Sequence, residues 1–176
     1  VGKAEDKMGL RASDTVELVF EDCRVPAANR LSEEGKGAAI LMSGLDYERV
    51  VLAGLQLGIM QACLDTVIPY LRERKQFGRA ICEFQAVQFM IVDMAMKLEA
   101  ARLLVYRAVM GAGRGFPSIY DSAVAKCFSN EMVIEVTNAA MQVFGGYGYS
   151  KEFPVERMLR DARAWCVAGG TVQMLR

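Results

Sequence analysis

Leu45-Asp46-Tyr47-Glu48-Arg49-Val50 lies between two apolar runs, Ala38-Ala39-Ile40-Leu41-Met42 and Val51-Leu52-Ala53-Gly54-Leu55. The surrounding periodicity is helical and predicts one long helix from about Ala38 to Arg72, with Pro69 as a possible kink. Nothing local obliges such a helix to carry Asp46, Glu48 and Arg49, because charges are almost never fully buried unless paired. Two readings are open. The three groups neutralise one another at a bend, which the stretch alone favours, or Glu48 is a working carboxylate in a dry pocket.

On the N-terminal side, Ser32-Glu33-Glu34-Gly35-Lys36-Gly37 is a boundary of turn glycines and charge. Before it, Val16, Leu18 and Phe20 alternate with Glu17, Val19 and Glu21, so Thr15 to Val25 reads as a half-buried strand ended by Pro26. On the C-terminal side, Lys75-Gln76-Phe77-Gly78-Arg79 is a second break. A helix apolar almost all round follows, from about Phe84 to Met110, with Asp93 and Lys97 placed to pair on its polar edge. Ser118 is placed to cap a further helix, Ile119 to Phe144, with Asp121 three residues on. Gly145-Gly146-Tyr147-Gly148-Tyr149 ends that helix. Pro154 opens a shorter one, Val155 to Trp165, and Thr171 caps a last one starting near Gln173. Short loops between long helices predict an antiparallel bundle. Gly44, Gly54 and Gly58 within the first helix suggest close approach by another backbone or a ligand, with small-residue helix packing the commoner cause.

Composition narrows the chemistry. The 176 residues are 53% hydrophobic with net charge +0, which points to a large core and away from nucleic acid. No apolar run is expected to be long and uncharged enough to span a bilayer. The 5 cysteines are odd in number and widely spaced without a CxxC, which argues against a disulfide framework or zinc site. With His at 0, a Ser-His-Asp triad and His general bases are excluded, and no metal site is expected. A carboxylate, Lys, Tyr or cofactor must carry any catalysis. The glycine clusters at 111–115 and 145–148 fail the spacing and context of a dinucleotide fingerprint.

Several strings nevertheless occur in one order: Lys7-Met8-Gly9-Leu10-Arg11-Ala12-Ser13; Leu45-Asp46-Tyr47-Glu48-Arg49; Arg74-Lys75-Gln76-Phe77-Gly78 with Phe84-Gln85; Gln142-Val143-Phe144-Gly145-Gly146; Pro154-Val155-Glu156-Arg157 with Arg160-Asp161-Ala162; and Gly169-Gly170-Thr171. Together they resemble the acyl-CoA dehydrogenase family along the whole chain, most closely its isovaleryl-CoA branch. The resemblance implies a mainly α fold, the C-terminal four-helix bundle of that family preceded by the last strand or strands of its middle β-domain. Residues 1–30 then close the β-domain, and 31–176 form the bundle with its last helix cut short.

The family forms a 2,3 double bond in an acyl-CoA thioester: a carboxylate removes the α-proton while the β-hydrogen leaves as hydride to FAD. Many members place that carboxylate in a Tyr-Glu-Gly-Thr string, where this chain reads Ala168-Gly169-Gly170-Thr171. Other branches carry it on the first bundle helix, at the place Glu48 matches. The resemblance therefore implies Glu48 as catalytic base, in place of a glutamate lost at 169. It implies substrate contacts from Asp46, Tyr47, Arg49, Ala168, Gly169 and Gly170, with the Gly169 N–H donating to the thioester oxygen. It implies FAD contacts from Arg74, Gln76, Phe77 and Gln85 across a subunit interface. Gln142, Gly145 and Gly146 match the loop at the adenosine end, and Thr171 and Gln173 a further FAD-contacting helix start.

A small Ala168, where many relatives have Tyr, is consistent with a short branched acyl chain. Long-chain and terpenoid acyl-CoA dehydrogenases share enough to stay open, as does a non-catalytic oligomerisation bundle. By the same resemblance the partners are an acyl-CoA, an electron transfer flavoprotein as acceptor and copies of the chain in a homotetramer, a dimer of dimers, with no membrane span. The compartment, bacterial cytoplasm or mitochondrial matrix, is left undecided.

Overall fold

The computed structural model describes residues 1–176. Three long helices dominate: α1 (Gly37–Glu73), α2 (Gln85–Ala112) and α3 (Ile119–Phe144). Two short ones follow, α4 (Val155–Trp165) and α5 (Val172–Leu175). The long helices begin and end within two residues of their predicted bounds, because each boundary has a local cause. Ser118 Oγ accepts from the Asp121 N–H at 3.0 Å and donates to the Asp121 carboxylate at 2.8 Å, closing the first turn of α3. Gly145 ends α3 at φ 60, a conformation that excludes few glycines and most other residues. Pro69 does not break α1, which continues to Glu73.

Both α1 and α2 pack on α3. The main core joins Met60, Cys63 and Val67 of α1, Met94 and Leu98 of α2, Val133, Val136 and Ala140 of α3, and Val155 and Ala162 of α4. A smaller cluster of Val50, Ala53, Val105, Ala108 and Ala125 holds the other end together. In one respect α1 departs from expectation: by length and composition it is apolar enough to cross a bilayer. Val50, Met60, Cys63 and Val67 are buried against α2 and α3, while Leu41, Met42 and Val51 of the same helix are more than half exposed.

Other expectations are corrected. Residues 15–25 form no strand; Gly2 N–H to Glu17 O at 2.8 Å and Glu5 N–H to Thr15 O at 3.0 Å are the backbone bonds joining this extended segment to the start of the chain. Leu18, Val19 and Phe20 are each more than half exposed, so neither face of the alternating pattern is covered, and an isolated pairing of this length makes no sheet. Lys97 pairs with Glu135 of α3 at 2.7 Å rather than with Asp93, since a cross-helix carboxylate lies within reach. Gly44, Gly54 and Gly58 face open space rather than a neighbouring backbone.

The break at 75–80 is a hairpin, β1 (Lys75–Gln76) antiparallel to β2 (Arg79–Ala80). Its two turn residues, Phe77 at φ 52 and Gly78 at φ 80, both take positive φ, the pattern that suits the twist of a two-residue hairpin.

The N-terminal segment is anchored on α4. Arg160 Nη1 donates to Met8 O at 2.8 Å, the Leu10 N–H donates to Asp161 Oδ1 at 2.7 Å, and Glu156 braces Arg160 at 2.7 Å. Gly9 lets the two backbones meet: a β-carbon there would stand 2.3 Å from the Arg160 carbonyl oxygen.

Candidate active site

Within the charged stretch of α1, Arg49 Nη1 pairs with Asp46 at 2.8 Å, one helical turn away, and both side chains are mostly buried. Glu48 takes no part and forms neither ion pair nor hydrogen bond. Mutual neutralisation thus holds for two of the three charges and leaves the third free. Glu48 is exposed in this chain rather than enclosed in a dry pocket, which corrects that part of the expectation. Tyr47 turns to another face of α1: it meets Phe116 edge-on with ring centroids 6.3 Å apart and lines a separate cavity with Val51, Gly54 and Val109.

Glu48 faces the turn between α4 and α5. A β-carbon on Gly169 would lie 3.4 Å from Glu48 Oε1, 3.1 Å from Leu52 Cδ1 and 3.2 Å from Lys126 Nζ. Gly169 and Gly170 hold φ of 67 and 100, so the turn is built for residues without a β-carbon. The Gly169 N–H makes no hydrogen bond within the chain. Lys126, with no exposed surface, donates to the Ala168 carbonyl at 2.6 Å. Burial pushes its ammonium below the ordinary lysine range; the Glu48 charge opposes that shift and Arg49 adds to it. Lys126 escaped sequence reasoning. The signal available was a cation on the same α3 face as Ser122, Ser129 and Asn130, all buried.

A second group assembles around the hairpin. Arg74, Gln76 and Phe77 meet Phe84, Gly145, Gly146 and Tyr147 around a cavity of about 770 Å³. Arg74 forms no ion pair; its guanidinium lies 5.2 Å from the centroid of the Tyr147 ring. A β-carbon on Gly145 or Gly146 would meet nothing within 4 Å, so the backbone is open to a ligand there. Phe77 is 93% exposed while held at positive φ, an uncommon state for an aromatic residue. Gln85 starts α2 beside this cavity, and Gln142 stands exposed one turn before Gly145. An unpaired Arg, accessible glycine backbone and an aromatic wall fit the phosphate and ring portions of a dinucleotide such as FAD.

Thr171 and Gln173 fall elsewhere. They line a cavity of about 570 Å³ with Glu131, Glu135 and Arg163. Thr171 Oγ1 accepts from the Met174 N–H at 3.3 Å and caps α5, a helix of four residues. Of the residues expected to contact flavin, Arg74, Gln76, Phe77, Gly145 and Gly146 line one cavity, Thr171 and Gln173 the other, and Gln85 and Gln142 neither. Glu48 on α1 and Arg74 at its C-cap, 26 residues apart, are separated by ~40 Å of helical rise.

The fold and these clusters define a helical-bundle domain with an acidic–glycine corner at one end and an arginine–glycine cradle at the other. A family model described as "Acyl-CoA dehydrogenase, C-terminal domain" matches residues 35–176, and the chain belongs to the acyl-CoA dehydrogenase family. It is 47% identical over 171 residues to the mitochondrial isovaleryl-CoA dehydrogenase of Oryza sativa subsp. japonica, covering 97% of this chain and 42% of that protein. The solved butyryl-CoA dehydrogenase of Megasphaera elsdenii superposes with a TM-score of 0.95 at 46% identity, over 99% of this chain and 45% of that one. A chain from a structure described as the electron transferring flavoprotein of Acidaminococcus fermentans superposes with a TM-score of 0.96 at 49% identity, over 99% and 46%. The chain thus spans less than half the length of the relatives it matches.

Proposed function

We propose that the protein of which this chain is the bundle domain oxidises an acyl-CoA thioester at its α and β carbons, with Glu48 removing the α-proton. The observation that carries this reading is the unpaired Glu48 carboxylate beside position 169, where a glycine supplies a free N–H and no side chain. An α-proton is far too weakly acidic for a carboxylate in water. Its removal requires a donor on the thioester oxygen that strengthens as negative charge develops there. The Gly169 N–H is that donor in this proposal. Asp46 and Arg49 neutralise each other and leave Glu48 the free negative charge of the stretch. FAD, when bound, accepts the β-hydrogen as hydride. Arg74, Gln76, Phe77, Gln85, Gln142, Gly145 and Gly146 would hold it at one place, Thr171 and Gln173 at another.

The ~40 Å between Glu48 and Arg74 is more than one flavin reaches across, so each flavin draws on two copies of the chain in this reading. The exposed residues Phe89, Val92, Met96, Leu103, Tyr106 and Met110 recur at steps of three, four and seven residues along α2. Such a seam supports packing between copies, in a homotetramer. Uncovered Leu18, Val19 and Phe20 support residues 1–30 as the end of a β-domain whose other strands complete the sheet. The Acidaminococcus likeness supports an electron transferring flavoprotein as acceptor.

A short branched acyl group, isovaleryl-like, is the substrate reading, supported by the small Ala168 and the rice relative. A straight butyryl chain is the competing reading, supported by the Megasphaera structure. Anaerobic mixing of the full-length, flavin-loaded protein with isovaleryl-CoA and butyryl-CoA, followed by flavin absorbance, separates the two. Glu48→Gln is expected to abolish flavin reduction by either thioester while FAD stays bound. Normal bleaching in that variant would remove the assignment of the base.

A further inference from the structure

A buried ammonium is an expensive way to hold a carbonyl. The turn that carries Gly169 is already fastened to α3 by neutral contacts, Cys166 Sγ to Asn130 O at 3.2 Å and Cys127 Sγ to Val172 O at 3.8 Å. A neutral donor at 126 would complete the set without taking a charge out of water. Lys126 is nevertheless fully buried, and its Nζ donates to Ala168 O at 2.6 Å. That oxygen and the Gly169 N–H belong to one planar trans peptide unit, in which they point in opposite directions. A cation on the oxygen therefore fixes the direction of the N–H. It also draws electron density through the amide, and hydrogen bonds in such a chain strengthen one another. The N–H in question is the one left without a partner beside Glu48.

We propose that Lys126 is a positioning residue that acts through the Ala168–Gly169 peptide: its ammonium, on the Ala168 carbonyl, aims and strengthens the Gly169 N–H as a donor to the thioester oxygen. This rests on the reading of Glu48 and Gly169 as the proton-abstraction site. It explains why a lysine occupies a place where packing alone asks for a neutral side chain. The contribution is largest as charge builds on the thioester oxygen, when a polarised donor gains most over an ordinary amide.

The test uses the full-length, flavin-loaded protein and crotonyl-CoA labelled with carbon-13 at its carbonyl. Isotope-edited infrared difference spectroscopy reads the polarisation of the bound thioester, and anaerobic rapid mixing with butyryl-CoA reads flavin reduction. In the unaltered protein the carbonyl stretch moves to lower wavenumber than in solution. Lys126→Met is expected to lose most of that displacement and to slow flavin reduction about 10–100-fold, less than the loss of a direct donor. An undiminished displacement in Lys126→Met overturns the proposal whatever the rate. Should that variant fail to retain FAD, Lys126→Gln keeps a neutral donor on the carbonyl, and a full displacement there overturns the role of the charge. Glu48→Gln separates the two readings: it is expected to keep the displacement and lose flavin reduction. If it still reduces flavin normally, the base assignment falls while the carbonyl measurement continues to decide Lys126.

Discussion

A β-carbon on Gly169 would stand 3.4 Å from Glu48 Oε1, so two positions far apart in the sequence address the same point in space. A carboxylate can occupy that corner from α1 or from the α4–α5 turn. Gly169→Glu alone is expected to put two carboxylates side by side, which cannot both ionise freely, and to abolish flavin reduction. The double variant Glu48→Gly with Gly169→Glu is expected to reduce flavin faster than Glu48→Gly alone. It should fall short of the parent, because a side chain at φ 67 costs about 1–2 kcal/mol. Anaerobic flavin bleaching compares all four proteins, and a double variant no faster than Glu48→Gly would refute the shared corner.

Gly9 and Arg160 make a second close approach with a purely structural outcome. The 2.3 Å between a β-carbon at position 9 and the Arg160 carbonyl oxygen leaves backbone against backbone, with no flexible end to yield. Gly9→Ala is expected to destabilise the protein by about 1–3 kcal/mol. Thermal unfolding measures this, and flavin reduction per folded protein should be unchanged.

The same joint is sensitive to acid. The hydrogen bond from Arg160, with its charge, holds Glu156 below the ordinary carboxylate value of 4.5. A carboxylate whose pKa is lower folded than unfolded contributes stability that is complete above the unfolded value and disappears as pH falls through the folded one. Unfolding measured from pH 7 downwards is therefore expected to show a loss below about pH 4.5 that is smaller in Glu156→Gln. Identical pH profiles for the two proteins would show that this pair contributes nothing to acid sensitivity.

These joints also show what the sequence made legible. Helix bounds were readable because their causes are local: a Ser118–Asp121 cap, a Gly145 stop and helical periodicity between them. The strings at 7–13 and 154–162 stood out, but their mutual contact through Gly9, Arg160 and Asp161 did not, since nothing local pairs segments that distant. Glu48 was singled out by charge in an apolar run and by the missing glutamate at 169. That Arg49 binds Asp46 and leaves Glu48 free depends on side-chain direction along a helix turn, which periodicity leaves open. Lys126 passed unnoticed because one lysine on a long helix ordinarily reaches solvent; only packing of α1 and the 166–171 turn over it reveals its burial. The segment from Thr15 to Val25 forms no strand here because alternation records which residues could face a core, and not whether a partner strand lies beside them.

The uncovered seam on α2 makes a prediction about assembly. Met96 is 64% exposed in the middle of the row from Phe89 to Met110, with Val92 and Leu103 on either side. A charge there would be buried without a partner if copies pack along this face. If the protein assembles as the proposed homotetramer, Met96→Glu is expected to reduce it to two copies or one in light scattering. FAD retention should fall with it if, as proposed, each flavin draws on two copies. A variant that keeps both the parent's mass and its flavin would place the interface elsewhere.

Phe77 offers the sharpest contrast between stability and binding. Its φ of 52 suits glycine, and its ring is 93% exposed, touching Phe84 edge-on at a centroid distance of 6.2 Å. Little packing in this chain repays the strained backbone. Phe77→Gly is therefore expected to leave stability unchanged or raise it, since the left-handed conformation costs a non-glycine residue about 1–2 kcal/mol. The same change removes an aromatic wall from the cavity shared by Arg74, Gly145 and Gly146. FAD affinity is expected to weaken about tenfold or more, the equivalent of about 1.4 kcal/mol or more of lost contact. Flavin released on dilution, followed by fluorescence, measures it beside thermal unfolding of the flavin-free protein. A loss of stability without a loss of flavin would mean that Phe77 is held there for the fold, and that the strained turn has no part in the cofactor site.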